Sequence, residues 1–139
     1  DSLKDIERTI YVPDNIIFEY PNELPQMVFE KSRLEQLFMN LFTNAITATE
    51  NVKKGVIKIG YEPDEVYWKF SVSDNGKGIA VKHQKGIFEM FKKLETTNNA
   101  TGIGLAIVKK IAVLYEGDVW LESEENVGTT FFITLKKNL

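Results

Sequence analysis

Apolar and polar side chains alternate along two neighbouring stretches in the middle of the chain, and the alternation predicts a β-hairpin. The stretches cover residues 55–61 and 65–73, with Pro63-Asp64 as the turn between them. A period of two residues is typical of a strand that buries one face. The same alternation near the C-terminus predicts two more strands, over residues 118–123 and 129–135.

Apolar residues spaced three and four apart predict two long helices. The first is predicted to begin at Ser32, which forms the S-x-x-E pattern of a capping box with Glu35. Its predicted core face consists of Leu34, Leu37, Phe38, Leu41, Ala45 and Ala48. The second helix is predicted to open with Thr101 and to end near Gly117.

Residues 1–31 show no clear periodicity, and we expect them to be irregular apart from two short strands over residues 16–20 and 26–29. A chain of 139 residues is long enough for one sizeable core. We therefore expect residues 1–139 to form a single domain. The first residues look like a cut inside a longer sequence, so we expect a fragment of a larger protein.

The charge and the residue content exclude several kinds of function. A net charge of −3 provides no basic surface for nucleic acid or an anionic membrane. The absence of cysteine excludes disulfides and cysteine-ligated zinc, and a single histidine, His83, excludes multi-histidine metal sites. No apolar run approaches the ~20 residues of a membrane-spanning helix, so we expect no direct membrane contact.

Asp74 ends the predicted strand 65–73 and is followed within four residues by Gly76 and Gly78. Glycine lets the backbone take positive φ and lets a flat ligand approach without a Cβ in the way. A carboxylate at the floor of such a pocket suits an exocyclic amine, such as the N6 amine of adenine. The alternative interpretation is an ordinary Asp-Asn-Gly hairpin turn.

Asn40 and Asn44 stand one turn apart on the first predicted helix, in a polar stripe beside its apolar face. Asparagine is a poor interior helix former, so a pair of them invites an explanation. Their neutral oxygens suit a hard cation such as Mg²⁺, which takes other ligands from water and phosphates. The alternative is a pair that is solvated or bonded to itself.

The second predicted helix opens with the sequence Thr-Gly-Ile-Gly-Leu, residues 101–105. Exposed N–H groups and the positive end of the helix dipole make such a start suitable for phosphate. The pattern is neither a Rossmann fingerprint, since the third glycine position is Ile107, nor a P-loop. The polar stretch before it, residues 92–100, fits either a lid over a ligand or a surface loop.

Five motifs of this chain, in their order and spacing, resemble those of the ATP-binding catalytic domain of sensor histidine kinases. That domain belongs to a superfamily shared with type II topoisomerases, Hsp90 chaperones and MutL repair proteins. The motifs are an N box at residues 33–48, glycine boxes at 74–79 and 101–108, an F box at 87–93 and a G-T-x-F segment at 127–131. The resemblance implies an α/β two-layer sandwich of the Bergerat type, a mixed sheet with helices on one face.

For the adenine end of the site, the resemblance implies that Asp74 accepts from the N6 amine while Gly76 and Gly78 let the base lie close. Guanine would turn a carbonyl toward this carboxylate, so ATP is expected to bind better than GTP. The resemblance also assigns Thr129 to the nucleotide site. The predicted apolar wall around the base consists of Ile79, Val72, Ile111 and Phe131.

For the phosphate end, the resemblance implies that Asn44 ligates Mg²⁺ and that Asn40 lies beside the phosphates or a metal-bound water. Lys93 stands where the family often has a basic residue that reaches the terminal phosphates. The amides expected to hold the phosphates belong to Gly102, Ile103, Gly104 and Leu105, and the resemblance also assigns Thr101 to the nucleotide site. The expected cofactors are therefore ATP and Mg²⁺, with Asn40 and Lys93 as the catalytic residues.

Asn40 also distinguishes among members of the superfamily. The ATP-hydrolysing members place a glutamate at this position, where it acts as a general base, and an asparagine cannot accept the proton. The resemblance thus implies the ATP-binding catalytic domain of a histidine kinase. This domain would give the γ-phosphate of ATP to a histidine on a dimerisation domain of the same parent protein, and a response regulator would act downstream. It implies a cytoplasmic domain, whatever membrane anchor the parent has.

Two other functions stay open. A nucleotide-binding module that regulates by conformation, with little catalysis, is favoured by Thr47, which stands where the family often has a basic residue. The other alternative is a gyrase-like or Hsp90-like ATPase. Two smaller departures from the family pattern are Ala100 in place of a glycine and the absence of a double glycine at residues 115–117. His83, between Lys82 and Gln84, lacks a neighbouring carboxylate, and we expect it to be a bystander.

Overall fold

The computed structural model describes residues 2–21, 23–26, 30–87 and 100–137. Five strands form one mixed sheet in the order β1-β2-β3-β5-β4, in which β1 and β2 are parallel and the other pairs are antiparallel. The strands are β1 (Ile16–Glu19), β2 (Gly55–Glu62), β3 (Tyr67–Asp74), β4 (Asp118–Glu124) and β5 (Gly128–Lys136). The described helices are α1 (Ser2–Arg8), α2 (Lys31–Thr49), α3 (Val81–Gln84) and α4 (Ala100–Leu114).

The helices cover one face of the sheet, which is here called the inner face. Alternate residues of β5 show the division, since Phe131, Ile133 and Leu135 are buried and the residues between them are not. Aromatic rings join the layers, and Phe38 of α2 meets Phe70 of β3 edge to face at 5.3 Å. The predicted two-layer α/β architecture with a mixed sheet is confirmed.

Helix α2 begins one residue earlier than predicted, and its capping-box prediction is wrong. Glu30 is the extended residue before the helix, and its carbonyl accepts from the amides of Arg33 and Leu34. Ser32 is already inside the first turn, where its hydroxyl reaches only the Glu30 carboxylate at 3.4 Å. The predicted core face is buried as expected, except that Ala48 is half-buried and Phe42 joins the core.

The N-terminal segment contains a helix that the sequence pattern did not predict. Helix α1 places Leu3 and Ile6, one turn apart, in the core at 2% and 4% exposure. The prediction of irregular structure before β1 is therefore wrong for residues 2–8. The strand predicted over residues 26–29 falls mostly outside the described residues, and Gln26 itself is not in a strand.

Candidate functional site

Asp74 is the last residue of β3 and points into the inner layer, with 8% of its surface exposed. Its Oδ1 accepts from the amide of Gly76 at 2.9 Å. Its Oδ2 is buried and has no hydrogen-bond partner among the described residues. Burial raises the pKa of this carboxyl, and the amides of Gly76 and Thr129 oppose the rise. The result is a buried acceptor with one oxygen free for a ligand's donor.

The loop after Asp74 is packed so closely that two of its residues must be glycine. A Cβ on Gly76 would lie 2.3 Å from the carbonyl oxygen of Ala48, at the end of α2. Gly78 has a φ of 70°, and a Cβ there would lie 2.2 Å from the carbonyl oxygen of Glu124. The loop is thus held between the end of α2 and the β4–β5 hairpin.

Side chains from β4 and α3 hold the same loop, and the sequence pattern did not predict this role for them. Ser123 accepts from the amide of Ile79 at 2.8 Å, donates to the carbonyl of Gly128 and meets the Thr129 hydroxyl at 2.7 Å. Gln84 donates to the carbonyl of Ile79 at 2.8 Å. The only available signal was the position of Ser123 opposite Thr129 in a hairpin, which depends on strand register.

Asn75, next to the free carboxylate, has a structural role. Its Oδ1 accepts from the amide of Val56 at 2.8 Å, and its Nδ2 donates to the carbonyl of Lys54 at 2.9 Å. These bonds tie the loop to the start of β2 and use both polar atoms of the side chain. The loop is therefore more than the hairpin turn of the alternative interpretation, because its neighbours in space come from five different elements.

Asn40 and Asn44 lie half-buried on one line of α2, and neither side chain makes a hydrogen bond within the described part of the chain. The alternative of a self-bonded asparagine pair is therefore not what the structure shows. Asn40 packs on Gly104 of α4, where a Cβ would lie 3.3 Å from Oδ1. Ala48, on the same line of α2, contacts Gly76. Eight residues of helix separate these contacts by about 12 Å.

The start of α4 changes the set of amides that are free for phosphate. The helix begins at Ala100, so the amides of residues 100–103 have no acceptor within it. Of the predicted nucleotide-binding residues, Thr101, Gly102 and Ile103 fall in this set. The amides of Gly104 and Leu105 lie one turn further in, where the helix supplies their acceptors, and the Leu105 side chain is buried in the core.

The other predicted residues of the site are divided between the core and the undescribed part of the chain. Val72, Thr129 and Phe131 are buried on the inner face of the sheet. Ile111 is buried on α4, and Ile79 is half-buried. Lys93, most of the F box and residues 92–99 lie outside the described residues, as do the side chains of residues 100–103. Among the described residues, no cluster of three acidic or histidine side chains forms a metal site.

A family model described as "Histidine kinase-, DNA gyrase B-, and HSP90-like ATPase" matches residues 29–139. The chain belongs to this family. The solved catalytic domain of the histidine kinase ThkA is 32% identical with a TM-score of 0.73, and the match covers 96% of this chain and 84% of that one. The resemblance to the ATP-binding catalytic domain of sensor histidine kinases is thereby confirmed.

Two further proteins that this chain resembles are much longer than it is. Cyanobacterial phytochrome A of Nostoc sp. is 41% identical over 114 residues, which are 81% of this chain and 15% of the phytochrome. Full-length ShkA, solved in complex with AMPPNP, is 24% identical with a TM-score of 0.79. The match covers 99% of this chain and 30% of the ShkA chain. At that identity the likeness to ShkA shows the fold alone.

In the described part of the chain, no helix is long and apolar enough to cross a membrane.

Proposed function

We propose that this chain binds ATP with Mg²⁺ and donates the γ-phosphate to a histidine on a dimerisation domain of the same parent protein. The observation that carries the proposal is the free, buried Oδ2 of Asp74 at the floor of a glycine-lined loop. A carboxylate can only accept hydrogen bonds, so it suits the N6 amine of adenine and not the O6 of guanine. ATP is therefore expected to bind in preference to GTP.

The line of α2 sets the length of the site. The adenine end is at Ala48 and Gly76, and the phosphate end is where Asn40 meets Gly104, about 12 Å further along the helix. The amides of Gly102 and Ile103 lie in the first turn of α4 without an acceptor within the helix, and they would bind phosphate oxygens. The bound AMPPNP, an ATP analogue, in the ShkA structure supports a nucleotide of this kind.

The donor set at the phosphate end fits Mg²⁺. Asn40 and Asn44 offer uncommitted amide oxygens, and a hard cation that keeps several waters needs only one or two protein oxygens beside the phosphates. We assign Asn44 as the ligand and place Asn40 beside the phosphates. When bound, Mg²⁺ neutralises charge on the phosphate oxygens. Thr47 is uncharged and adds no positive charge there, and its hydroxyl donates to the carbonyl of Thr43 at 3.0 Å.

The residues of the site favour transfer over hydrolysis. Asn40 occupies the position from which a general base would act on a water molecule, and an amide does not take up a proton at neutral pH. The base and the nucleophile would therefore come from the dimerisation domain, and a response regulator would then receive the phosphoryl group. We place the reaction in the cytoplasm, where ATP is available.

The metal assignment is tested by calorimetry of ATP binding with and without Mg²⁺. Asn44→Ala is expected to remove the gain in affinity that Mg²⁺ gives the parent, while ADP binding without metal changes less. Asn51→Ala, an exposed amide in the turn after α2, is the matched control. An unchanged Mg²⁺ dependence in Asn44→Ala would exclude Asn44 as the ligand.

The transfer itself is tested by mixing the chain, γ-labelled ATP and the purified histidine-bearing dimerisation domain of the parent protein. Acid-labile label on the dimerisation domain is the expected result. ATP binding without label on that domain would favour the regulatory module, and steady release of phosphate by the isolated chain would favour an ATPase.

A further inference from the structure

The face of the sheet opposite the helices contains a groove of ≈ 530 Å³, here called the outer groove. One row of paired residues crosses the sheet through it, from Trp120 of β4 to Phe132, Ser71 and Gly60. The nucleotide site lies on the inner face, at the ends of β3 and β5. The outer groove is therefore a separate surface, which the proposed function does not use.

The shape of the outer groove follows from side-chain size along that row. Gly60 has no side chain, and the Ser71 hydroxyl leans over it so closely that a Cβ on Gly60 would lie 2.3 Å away. At the other end, Trp120 stacks on Phe132 with ring centroids 5.6 Å apart and an angle of 15° between the planes. The groove is therefore bounded by aromatic rings at one end and is deepest at Gly60. The face of the Trp120 ring that does not stack on Phe132 is available to a ligand, because 43% of the residue is exposed.

The charge of the outer groove is negative. Glu122 stands two residues from Trp120 on the same face of β4, and Glu62 lines the opposite end. Neither carboxylate forms an ion pair with any described residue. The cation in the lining, Lys69, already pairs with Asp64 at 3.5 Å. An aromatic face and two unpaired carboxylates are left on the surface of the groove.

We propose that the outer groove binds a basic side chain, an arginine or a lysine carried by an extended segment of a partner protein. A guanidinium or ammonium group is attracted to the face of a tryptophan, and its charge is complementary to Glu122 and Glu62. The apolar stem of the same side chain covers the floor over Phe132. The two carboxylates repel phosphate groups, which argues against a nucleic acid or an anionic lipid as the occupant.

The experiment follows the amide and indole resonances of the ¹⁵N-labelled chain during titration with a five-residue peptide of alternating glycine and arginine. The Trp120 indole and the Gly60 amide are expected to shift in a saturable way, with a dissociation constant on the order of 1 mM for so small a probe. Trp68 is an internal control, because it lies on the inner face beneath Lys137, whose Nζ is 4.6 Å from the ring centroid. A peptide with citrulline in place of arginine keeps the shape and removes the charge, and is expected to bind more weakly.

A pair of variants tests the role of charge without removing the aromatic wall. Glu122→Gln is expected to weaken binding of the arginine peptide roughly two- to fivefold, the size of an exposed ion pair. Glu50→Gln makes the same change in net charge at an exposed position after α2, and is expected to leave the affinity unchanged.

Four results would overturn the proposal. Equal binding of the arginine and citrulline peptides would mean that the groove takes an uncharged side chain. An equal loss in Glu122→Gln and Glu50→Gln would mean general charge attraction. Shifts at Trp120 that depend on protein concentration without peptide would mean that a second copy of the chain occupies the groove. The absence of saturable shifts at Trp120 and Gly60 would mean that no basic side chain binds there.

Discussion

The two oxygens of the Asp74 carboxyl have different surroundings, and the difference carries both the proposed chemistry and its cost. Oδ1 bonds to the amide of Gly76, whereas Oδ2 is buried without a partner among the described residues. A buried acceptor without a donor costs free energy in the ligand-free protein. An adenine amine bound at Oδ2 would supply the missing donor.

The first prediction concerns Asp74→Asn and the choice of base. The amide keeps the size of the carboxyl but can donate as well as accept, so ATP binding should weaken by ~1–3 kcal/mol and the preference over GTP should shrink. Calorimetry with both nucleotides measures the change. Asp64→Asn, in the turn between β2 and β3, is the control and should leave selectivity intact. An unchanged ratio of ATP to GTP affinity in Asp74→Asn would remove Asp74 from the base pocket.

The same variant carries a second prediction, about pH. Because burial raises the pKa of Asp74 above its ordinary value of 3.8, the folded protein holds this proton to a higher pH than the unfolded chain does. The contribution of the carboxyl to stability is thus complete below about pH 4 and is lost as the pH rises through the folded-state pKa. The free energy of unfolding of Asp74→Asn, relative to the parent, should therefore increase over this range. Urea unfolding at several pH values measures it, and a flat difference would mean that the pKa is not raised.

The third prediction concerns Ser123, which holds the loop after Asp74 without being expected to touch the nucleotide. Ser123→Ala removes the acceptor of the Ile79 amide and two further hydrogen bonds, so the protein should lose ~1–3 kcal/mol of stability and bind ATP more weakly. Ser32→Ala deletes an exposed hydroxyl at the start of α2 and should do neither. A loss of stability with unchanged ATP affinity would show that the loop does not depend on this serine for its binding geometry.

At the scale of elements, α2 and α4 meet where the Cα of Gly104 faces Asn40. This contact would link helix packing to the proposed phosphate end of the site. A Cβ at Gly104 would lie 3.3 Å from a side-chain atom that can move, whereas a Cβ at Gly117 would lie 1.7 Å from the backbone oxygen of Thr134. The same substitution should therefore have opposite effects at the two positions.

The fourth prediction is that Gly104→Ala raises stability by up to about 1 kcal/mol, the gain in helix propensity, while it weakens ATP binding by displacing Asn40. Gly117→Ala should instead destabilise the fold strongly, because backbone has to move. Thermal unfolding and calorimetry on both variants separate the two effects. If Gly104→Ala kept full affinity, the position of Asn40 would not matter for the nucleotide.

The long, periodic elements could be predicted from the sequence, and the short ones could not. Alternation over eight or nine residues located β2, β3 and β5 to within two residues at each end. Helix α1 has seven residues and buries two, too few for a helical period to stand out, and its helicity depends on packing against α2. The predicted start of α2 was wrong because a capping box is only a local pattern. Glu30 occupies the N-cap position, so Ser32 already lies inside the first turn of the helix.

The site divides in a similar way. Asp74, Asn40 and the glycines could be found because each is unusual in its own element: a carboxylate at a strand end, an amide inside a helix. Ser123 and Gln84 could not, because an ordinary serine and glutamine acquire their role only when the β4–β5 register and α3 bring them to Ile79. The sequence also did not show which amides of α4 would be free, since that depends on where the helix begins.

At the scale of the whole molecule, the two proposed binding sites lie on opposite faces of the sheet. The single histidine, His83, is exposed on α3, and its neighbour Gln84 is bonded to Ile79 and Ser123. Neither neighbour in sequence offers a carboxylate that could take the proton of an attacking imidazole. The proposed transfer would therefore need a histidine supplied by another domain.

The fifth prediction follows from this arrangement. The isolated chain should bind γ-labelled ATP and retain no covalent label after denaturation. His83→Ala should bind ATP as the unsubstituted chain does. Filter binding before and after denaturation distinguishes bound from covalent label. Acid-labile label that persists on the unsubstituted chain and disappears in His83→Ala would show that this histidine is phosphorylated.

The pairing of β3 with β5 joins residues more than fifty positions apart, and it places Asp74 opposite Thr129. A slip of one residue between these strands would turn Asp74 to the other face of the sheet and leave no acceptor in the pocket. Only correctly aligned molecules can therefore gain the free energy of nucleotide binding, which reaches about 2.7 kcal/mol when the ligand is at a hundred times its dissociation constant. Inside a cell rich in ATP, the ligand would act as a selector of correctly folded chains, and a chain that misaligns its central strands would be left without that protection.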